Sequence, residues 1–563
     1  MEQMLDDLGN NVFANTELDF SSLEFPDFQS SLNADFGFLP PFGNSALLAG
    51  AGSDASPTDW AMTGSAPTPQ SGVASGHGSA SFNTYQSSPQ SATSPGTQSL
   101  DAEALRFFTS NYVIRQSGPS SGFLDYASTI LSKHDTNKLL ETAALALGYR
   151  GLAHTTQQPD LMERSTTQYE TAKEKVKNAV ADPQTSREDN TITALLVLSM
   201  YEFHKEASFD KWMRHIDRAA SLLALRGKAQ FSTPLGIQIF KDVFSQVLRI
   251  CTTRGCALPS NLRMLRIEAT KAIGVSNPYW AASSGLVELL DLYQHISPGR
   301  YSIVSKDSQP GSEPTESDSG KPSVAQKMPM EDLERYLSQI IEIDYRLESS
   351  FSECPPGWGF TIAQSSGEIE VDSPRELDGC HHVYHDAWIA SVWSQMRSAR
   401  VLANHAMSHL LLQGASTDSK WFFTNGHVDR LQQISKTIAS IRDDLLASLP
   451  QLTGEVTSDA QRHISDLVSS SSSPEWAFGS ASNATKSPEA QYGNRTRKHT
   501  GYMMGRFYAT WSLTTVGCMH NLEDGMRAWI VKKLGQIGSD TGLGTANDFA
   551  KMVQSKSLHP PLD

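Results

Sequence analysis

Residues Asp189–Cys256 read DNTITALLVLSMYEFHKEASFDKWMRHIDRAASLLALRGKAQFSTPLGIQIFKDVFSQVLRICTTRGC, and three successive helices can be read from them. The first is expected from about Thr191 to Phe203. Its Ile192, Leu195, Leu196, Met200 and Phe203 fall at helical spacing, with Val197 and Leu198 on the flank. A helix apolar around most of its circumference belongs inside a core. The second is amphipathic. Phe209, Trp212, Met213, Ile216, Ala220 and Leu223 form one face, and Lys211, Arg214, Asp217, Arg218 and Ser221 are expected to face water. Arg226-Gly227 should close it, since a cation suits a helix C-terminus and Gly takes the left-handed cap. Thr233-Pro234 should open the third, with Thr as N-cap and Pro at the first helical position. Phe240, Val243, Phe244, Val247 and Cys251 supply its buried stripe.

Outward from this stretch the same signals recur. Asp101 is a cap for a first helix, and helices are expected over Lys138–Leu152 and over Gln168–Ala181, the latter ending at Asp182-Pro183. Further ones are expected at Gly285–His295 and at Met330–Ser350, where Leu333, Leu337, Ile340, Ile341, Tyr345 and Leu347 recur. A long helix is expected over Cys380–Leu412, then Val428–Leu449, Thr500–His520, Leu522–Gly535 and Thr545–Val553. No convincing strand alternation extends over several segments, so the fold class is all-α. Polar Ser/Pro-rich runs near residues 300–325 and 453–497 read as mobile insertions.

The 563 residues carry a net charge of −15, which excludes a chain that as a whole matches nucleic acid electrostatically. Residues 1–100 hold ten acidic side chains and no Lys or Arg. Within residues 1–48 the carboxylates alternate with bulky apolar groups, most densely at Leu18, Phe20, Leu23, Phe25 and Phe28. Such a composition buries too little surface to fold alone, and acid repulsion keeps the aromatics apart. Residues 49–99 are Ser-, Gly- and Pro-rich and read as a disordered linker, so the helical part is expected to begin near residue 100. The acidic N-terminus lacks a secretory signal, and charge-free runs such as Phe507–Met519 are too short to span a bilayer. A soluble, intracellular chain is expected.

Five scattered cysteines, Cys251, Cys256, Cys354, Cys380 and Cys518, suit free thiols in a reducing compartment. Cys251 and Cys256 read as a structural pair, not as metal ligands. His381, His382, His385 and Asp386 are the densest polar cluster. On a helix, His381 and His385 would share a face as metal ligands do, yet no HExxH or distant ligand set accompanies them. The Thr541-Gly-Leu-Gly-Thr run lacks the preceding strand of a phosphate loop. Arg495, Arg497 and Lys498 read as a solvated loop, and Arg214, Arg218 and Arg226 as a wet helix face. No catalytic, cofactor-binding or metal residue is assigned.

The segment LLVLSMYEF, then W…H…RAASLLALRG, then QFSTPLGIQIF, resembles the regulatory domain of fungal zinc-cluster transcription factors. YHDAWIASVWSQMRSARVLAN resembles that family's second characteristic helix. GYMMGRFYATWSLTTVGC and MRAWIVKKLGQIGSDTGLGTANDFAKMV resemble its C-terminal block, so that the resemblance covers residues 101–555. It implies a large helical regulatory domain, transcriptional control, a nuclear location and no enzymatic activity. The family normally carries six cysteines holding two zinc ions ahead of this domain. Here no cysteine precedes Cys251, so no such cluster is expected. The expected partners are coactivators and a zinc-cluster homologue, in a homo- or heterodimer. DNA would be reached only indirectly or through a missing upstream domain. The alternative, from another class, is a helical enzyme or ligand-binding protein with a metal site at His381 and His385.

Limited proteolysis should cut first within residues 1–99 and within the runs near 300–325 and 453–497. Early cuts inside Thr191–Phe203 would contradict this reading.

Overall fold

The computed structural model describes residues 95–133, 138–274, 277–296, 328–352, 354–355, 357–364, 380–455, 502–519 and 522–555. The acidic segment with Leu18, Phe20, Leu23, Phe25 and Phe28 lies outside the described residues, as do residues 49–94 of the linker. So does nearly all of both polar runs.

The opening stretch folds as α5 (Asp189–Phe203), α6 (Phe209–Arg226) and α7 (Pro234–Arg254). Every residue of α5 from Thr191 to Phe203 is buried, which explains its unbroken apolar run. Thr233 caps α7 as expected: its hydroxyl accepts the Gly236 N–H at 3.1 Å, ahead of Pro234 at the first position. The end of α6 differs. Gly227 has φ 62° but ψ −153°, outside the left-handed helical region. The chain enters a 3-10 turn, Gly227–Ser232, and Gln230 satisfies the helix end by donating to the carbonyls of Leu223 (3.1 Å) and Gly227 (2.6 Å).

Before this stretch come α1 (Pro95–Asn111), α2 (Ala127–Leu131), α3 (Leu139–Thr156) and α4 (Pro159–Ala181). Asp101 is not a cap, because α1 starts six residues earlier; its carboxylate accepts the Tyr149 hydroxyl instead. α4 begins at Pro159, well before Gln168, because a Pro at the first helical position costs no backbone hydrogen bond. After it come α8 (Ser260–Ile273), α9 (Pro278–Ile296) and α10 (Met330–Ser352). No helix was expected at α8. In α10, Tyr345 is exposed at 65%, so it is not part of the buried stripe.

The long helix expected from Cys380 starts later. Cys380–Tyr384 is a strand, β2, paired antiparallel with β1 (Phe360–Gln364), Phe360 opposite Tyr384. Asp386 then caps α11 (Ala387–Thr417), its carboxylate accepting the Ile389 N–H at 2.9 Å. The remaining elements are α12 (Ser419–Thr424), α13 (His427–Ala447), α14 (Leu449–Thr453), α15 (Tyr502–Gly517), α16 (Asp524–Thr541) and α17 (Gly544–Ser555). The two strands are a small addition to a helical molecule, and the all-α class holds.

The main cluster of buried side chains runs from Phe108 to Val553. At its centre Trp212 is fully buried against Phe203, Phe209 and Trp511, with ring centroids 6.0, 5.2 and 5.5 Å away. Phe549 of α17 closes the group on Phe203, Phe209 and Trp511. Beside it, His204 links three parts of the chain. Its Nδ1 lies 3.0 Å from the Gly542 carbonyl, which identifies Nδ1 as the protonated nitrogen. Nε2 then accepts the Tyr112 hydroxyl at 2.7 Å. The His204 carbonyl in turn accepts from Arg150 (3.1 Å) and from the Gly544 N–H (3.2 Å). The Gly542–Gly544 turn is thus a packing device: a Cβ at Gly544 would sit 2.4 Å from the Glu206 nitrogen.

Trp212→Ala should cost about 3–5 kcal/mol in equilibrium denaturation, as expected for truncating a buried large aromatic. Tyr112→Phe should cost about 1–3 kcal/mol by leaving Nε2 of His204 buried and unpaired. A loss for Trp212→Ala well below about 1 kcal/mol would contradict the packing described.

Candidate functional site

The histidines of the sequence cluster do not meet as ligands. His381 and His382 lie in β2, and His385 follows it in the turn before α11, so the helical spacing that paired His381 with His385 does not exist. His385 Nε2 lies 3.0 Å from the Ser117 hydroxyl. His382 stacks on Phe360 at 3.9 Å and sits beside Arg397, and burial with that neighbouring charge pushes its pKa down to about 3. Arg397 donates to the Tyr384 hydroxyl (2.6 Å), to Ser448 (2.9 Å) and to the Asp444 carbonyl (3.3 Å). Gln451 brackets the Tyr384 backbone, accepting from its N–H and donating to its carbonyl. These contacts fasten β2 to α11, α13 and α14. Among the described residues no three His, Cys, Asp or Glu side chains are grouped to hold a metal ion. Cys251 and Cys256 are free thiols; the Cys251 thiol donates to the Ala257 carbonyl at 3.7 Å.

A cleft of about 250 Å³ opens between α4, α5 and α6. Its floor is built on Glu202, which is fully buried near the end of α5. The Glu202 carboxylate accepts the hydroxyls of Tyr169 and Ser208 and pairs with Lys205 at 3.8 Å. Burial raises its pKa, but those hydrogen bonds and the Lys205 charge outweigh burial and hold it below the usual value. Tyr169 stacks on Tyr201 at 4.2 Å, and the Lys205 ammonium lies 4.3 Å from the Tyr169 ring centroid.

The α6 wall overturns the wet-face expectation. Asp217 is 8% exposed and Arg218 6%, and Arg214 is half-buried. The cause is that α6 packs on α5, α7 and α8 together, so little of its circumference reaches water. Burial pushes the Asp217 pKa up to about 7, the nearby Arg254 opposing the rise only in part, and its Oδ1 has no hydrogen-bond partner. Periodicity could not reveal this, because a polar side chain on a covered face looks the same in sequence as one on a wet face.

A family model described as fungal specific transcription factor domain matches residues 104–252. No curated protein and no solved structure matches the chain. The match includes α2 to α6, the C-terminal part of α1, most of α7 and the whole cleft. Of the motifs quoted from the sequence, those at 195–203, 212–227 and 230–240 lie inside it; those from residue 384 onward lie outside. The match supports a role in transcriptional regulation.

A raised carboxyl pKa in the folded chain sets the sign of a pH effect. The unfolded carboxyl ionises near its model value of 3.8 while folded Asp217 keeps its proton to about 7, so its contribution to stability falls as pH rises through that window. Asp217→Asn should therefore gain on the wild type from about pH 4 to 7 and keep a constant advantage above that. Paired melting temperatures across this range test it; a pH-independent difference would contradict it.

Proposed function

We infer that the fungal specific transcription factor domain serves here in a nuclear transcriptional regulator that is not an enzyme. Residues 100–563 form its helical regulatory domain, and residues 1–48 are its acidic activation segment. The observation that carries the reading is the family match over residues 104–252.

The activation segment is supported by composition alone. Phe and Leu side chains bury area in a coactivator groove, and interleaved carboxylates keep them from collapsing on one another. Leu18, Phe20, Leu23, Phe25 and Phe28 fall within eleven residues, and Pro26 limits any helix formed on binding. The coactivator is the first partner. For DNA the reading requires a second source of base contacts. The five cysteines of these 563 residues include none before Cys251, so this sequence holds no six-cysteine cluster ahead of the helices. A zinc-cluster homologue dimerised through the helical domain, or an upstream segment of a longer protein, would supply them.

The test fuses residues 1–60 to an unrelated DNA-binding domain and measures a reporter. Activation is expected, and the combined Phe20→Ala, Phe25→Ala and Phe28→Ala variant, with every acid kept, should lose on the order of tenfold. A silent parent fusion, or activation unchanged by the triple substitution, would overturn the activation role.

A further inference from the structure

We propose that the cavity where α7, α11 and α15 meet is a binding site for one small planar monoanion, a carboxylate of one or two carbons, received by the guanidinium of Arg249. Arg249 of α7, Gln395 of α11 and Trp511 of α15 line this cavity of about 40 Å³, and each is more than nine-tenths buried. Each also holds a buried donor with no hydrogen-bond partner: Nε of Arg249, Nε2 of Gln395 and Nε1 of Trp511. Three helices thus bring three unanswered N–H groups to one cavity, although a buried donor left unpaired costs stability. The other polar lining groups do not answer them. The hydroxyls of Thr252 and Thr253 donate to the Leu248 and Arg249 carbonyls at 2.7 and 2.9 Å. Ser398 donates to the Ser394 carbonyl at 2.9 Å, and its hydroxyl lies 3.3 Å from that of Thr515.

Arg249 makes the missing partner an anion. Among the described residues its side chain enters no ion pair and makes no hydrogen bond, and no Asp or Glu lines the cavity. Burial pushes its pKa down from the ordinary value, yet an arginine stays a cation at neutral pH. The rings of Phe507, Tyr508 and Trp511 have centroids 5.3–5.8 Å from the guanidinium carbon and stabilise its charge. A ring face does not neutralise the ion, and Nε still lacks an acceptor. Water would accept the hydrogen bonds but leave the charge uncompensated in a site largely closed to solvent. A carboxylate does both, because its two oxygens match the planar fork of a guanidinium. One cation with no acid beside it calls for a single negative charge, which disfavours sulfate and phosphate. Size narrows the ligand further. One water needs roughly 10–15 Å³, so 40 Å³ takes about three or four non-hydrogen atoms, as in formate or acetate. Leu402 gives the cavity an apolar side that suits a methyl group.

The site does not depend on the activation role of residues 1–48, because it is read by binding to the purified full chain with no reporter. Acetate and formate are titrated and followed on their own proton NMR signals. Sodium gluconate, an acid too large for the cavity, holds the ionic strength constant, and acetamide and formamide are uncharged controls of the same shape. Saturable one-to-one binding of at least one acid is expected in roughly the millimolar range, as suits so few atoms. Its amide should bind at least about tenfold more weakly. Arg249→Met keeps the length of the side chain and removes the charge, so it should weaken the acid more than about tenfold. Trp511→Phe keeps an aromatic ring and Gln395→Met keeps the bulk, each removing one donor; each should weaken the acid by a smaller factor. Circular dichroism reports whether each variant is folded, and where Arg249→Met is not, the other two decide. No saturation by either acid up to roughly 50 mM would mean a cavity filled by water and would overturn the proposal. Equal binding of acid and amide would overturn it as well. So would full affinity in folded Arg249→Met or, where that variant does not fold, in both Trp511→Phe and Gln395→Met.

Discussion

The aromatic group around Trp212 is the contact on which the architecture depends. Phe203 and Trp212 come from the central helices α5 and α6, whereas Trp511 and Phe549 arrive about three hundred residues later on α15 and α17. A helix buried from Thr191 to Phe203 needs neighbours on every side, and local hairpin partners supply only some of them. The C-terminal helices complete that burial. Bringing distant segments together costs loop-closure entropy that grows only slowly with length, and large buried aromatics offset it well. Long polar runs between the helices are therefore compatible with a shared core.

Polar groups drawn into that core are handled in two ways. Some are held in or shifted toward the neutral form: burial pushes His204 and His382 down to about 3 and holds Asp217 and Asp242 up at about 7. Others stay charged against π faces, as Arg249 does, its guanidinium 5.3–5.8 Å from the centroids of Phe507, Tyr508 and Trp511. His204 shows why neutrality matters. A single imidazole proton directs one donor to Gly542 and leaves one acceptor for Tyr112, so α1, α5 and the turn before α17 are joined without a buried charge. The cleft beside α6 departs from this economy. There cations and acids line a partly covered site together.

That cleft lies entirely within the family-matched residues, on the same helices that carry the Trp212 cluster. Asp217 and Arg218 face it from α6 while Trp212 and Ile216 on that helix are buried in the core. α6 is also coupled by direct packing to α15 and α17, through Trp212 on Trp511 and Phe209 on Phe549.

The helices with strong local signals were legible in the sequence alone. Thr233-Pro234 marks a helix start because a hydroxyl cap and a missing N–H are local facts, and α5 announces its burial because thirteen successive side chains need shelter. Faces and partners were not local facts. Cys380–Tyr384 reads as helix beside the long apolar run of α11, and only its pairing with Phe360–Gln364, across a gap in sequence, makes it a strand. Tyr345 fits an apolar stripe but meets solvent, because the side chains available to cover that edge of α10 are decided by its neighbours. Arg214, Asp217 and Arg218 have the spacing of a wet helix face. The packing of α5, α7 and α8 around α6 turned that face inward and made it the wall of a cleft. Sequence by itself determined the helices with strong caps and apolar runs and most of the side chains that must be hidden; tertiary structure decided the strand at Cys380–Tyr384 and what lies opposite each polar group, since burial depends on elements the local chain does not encode.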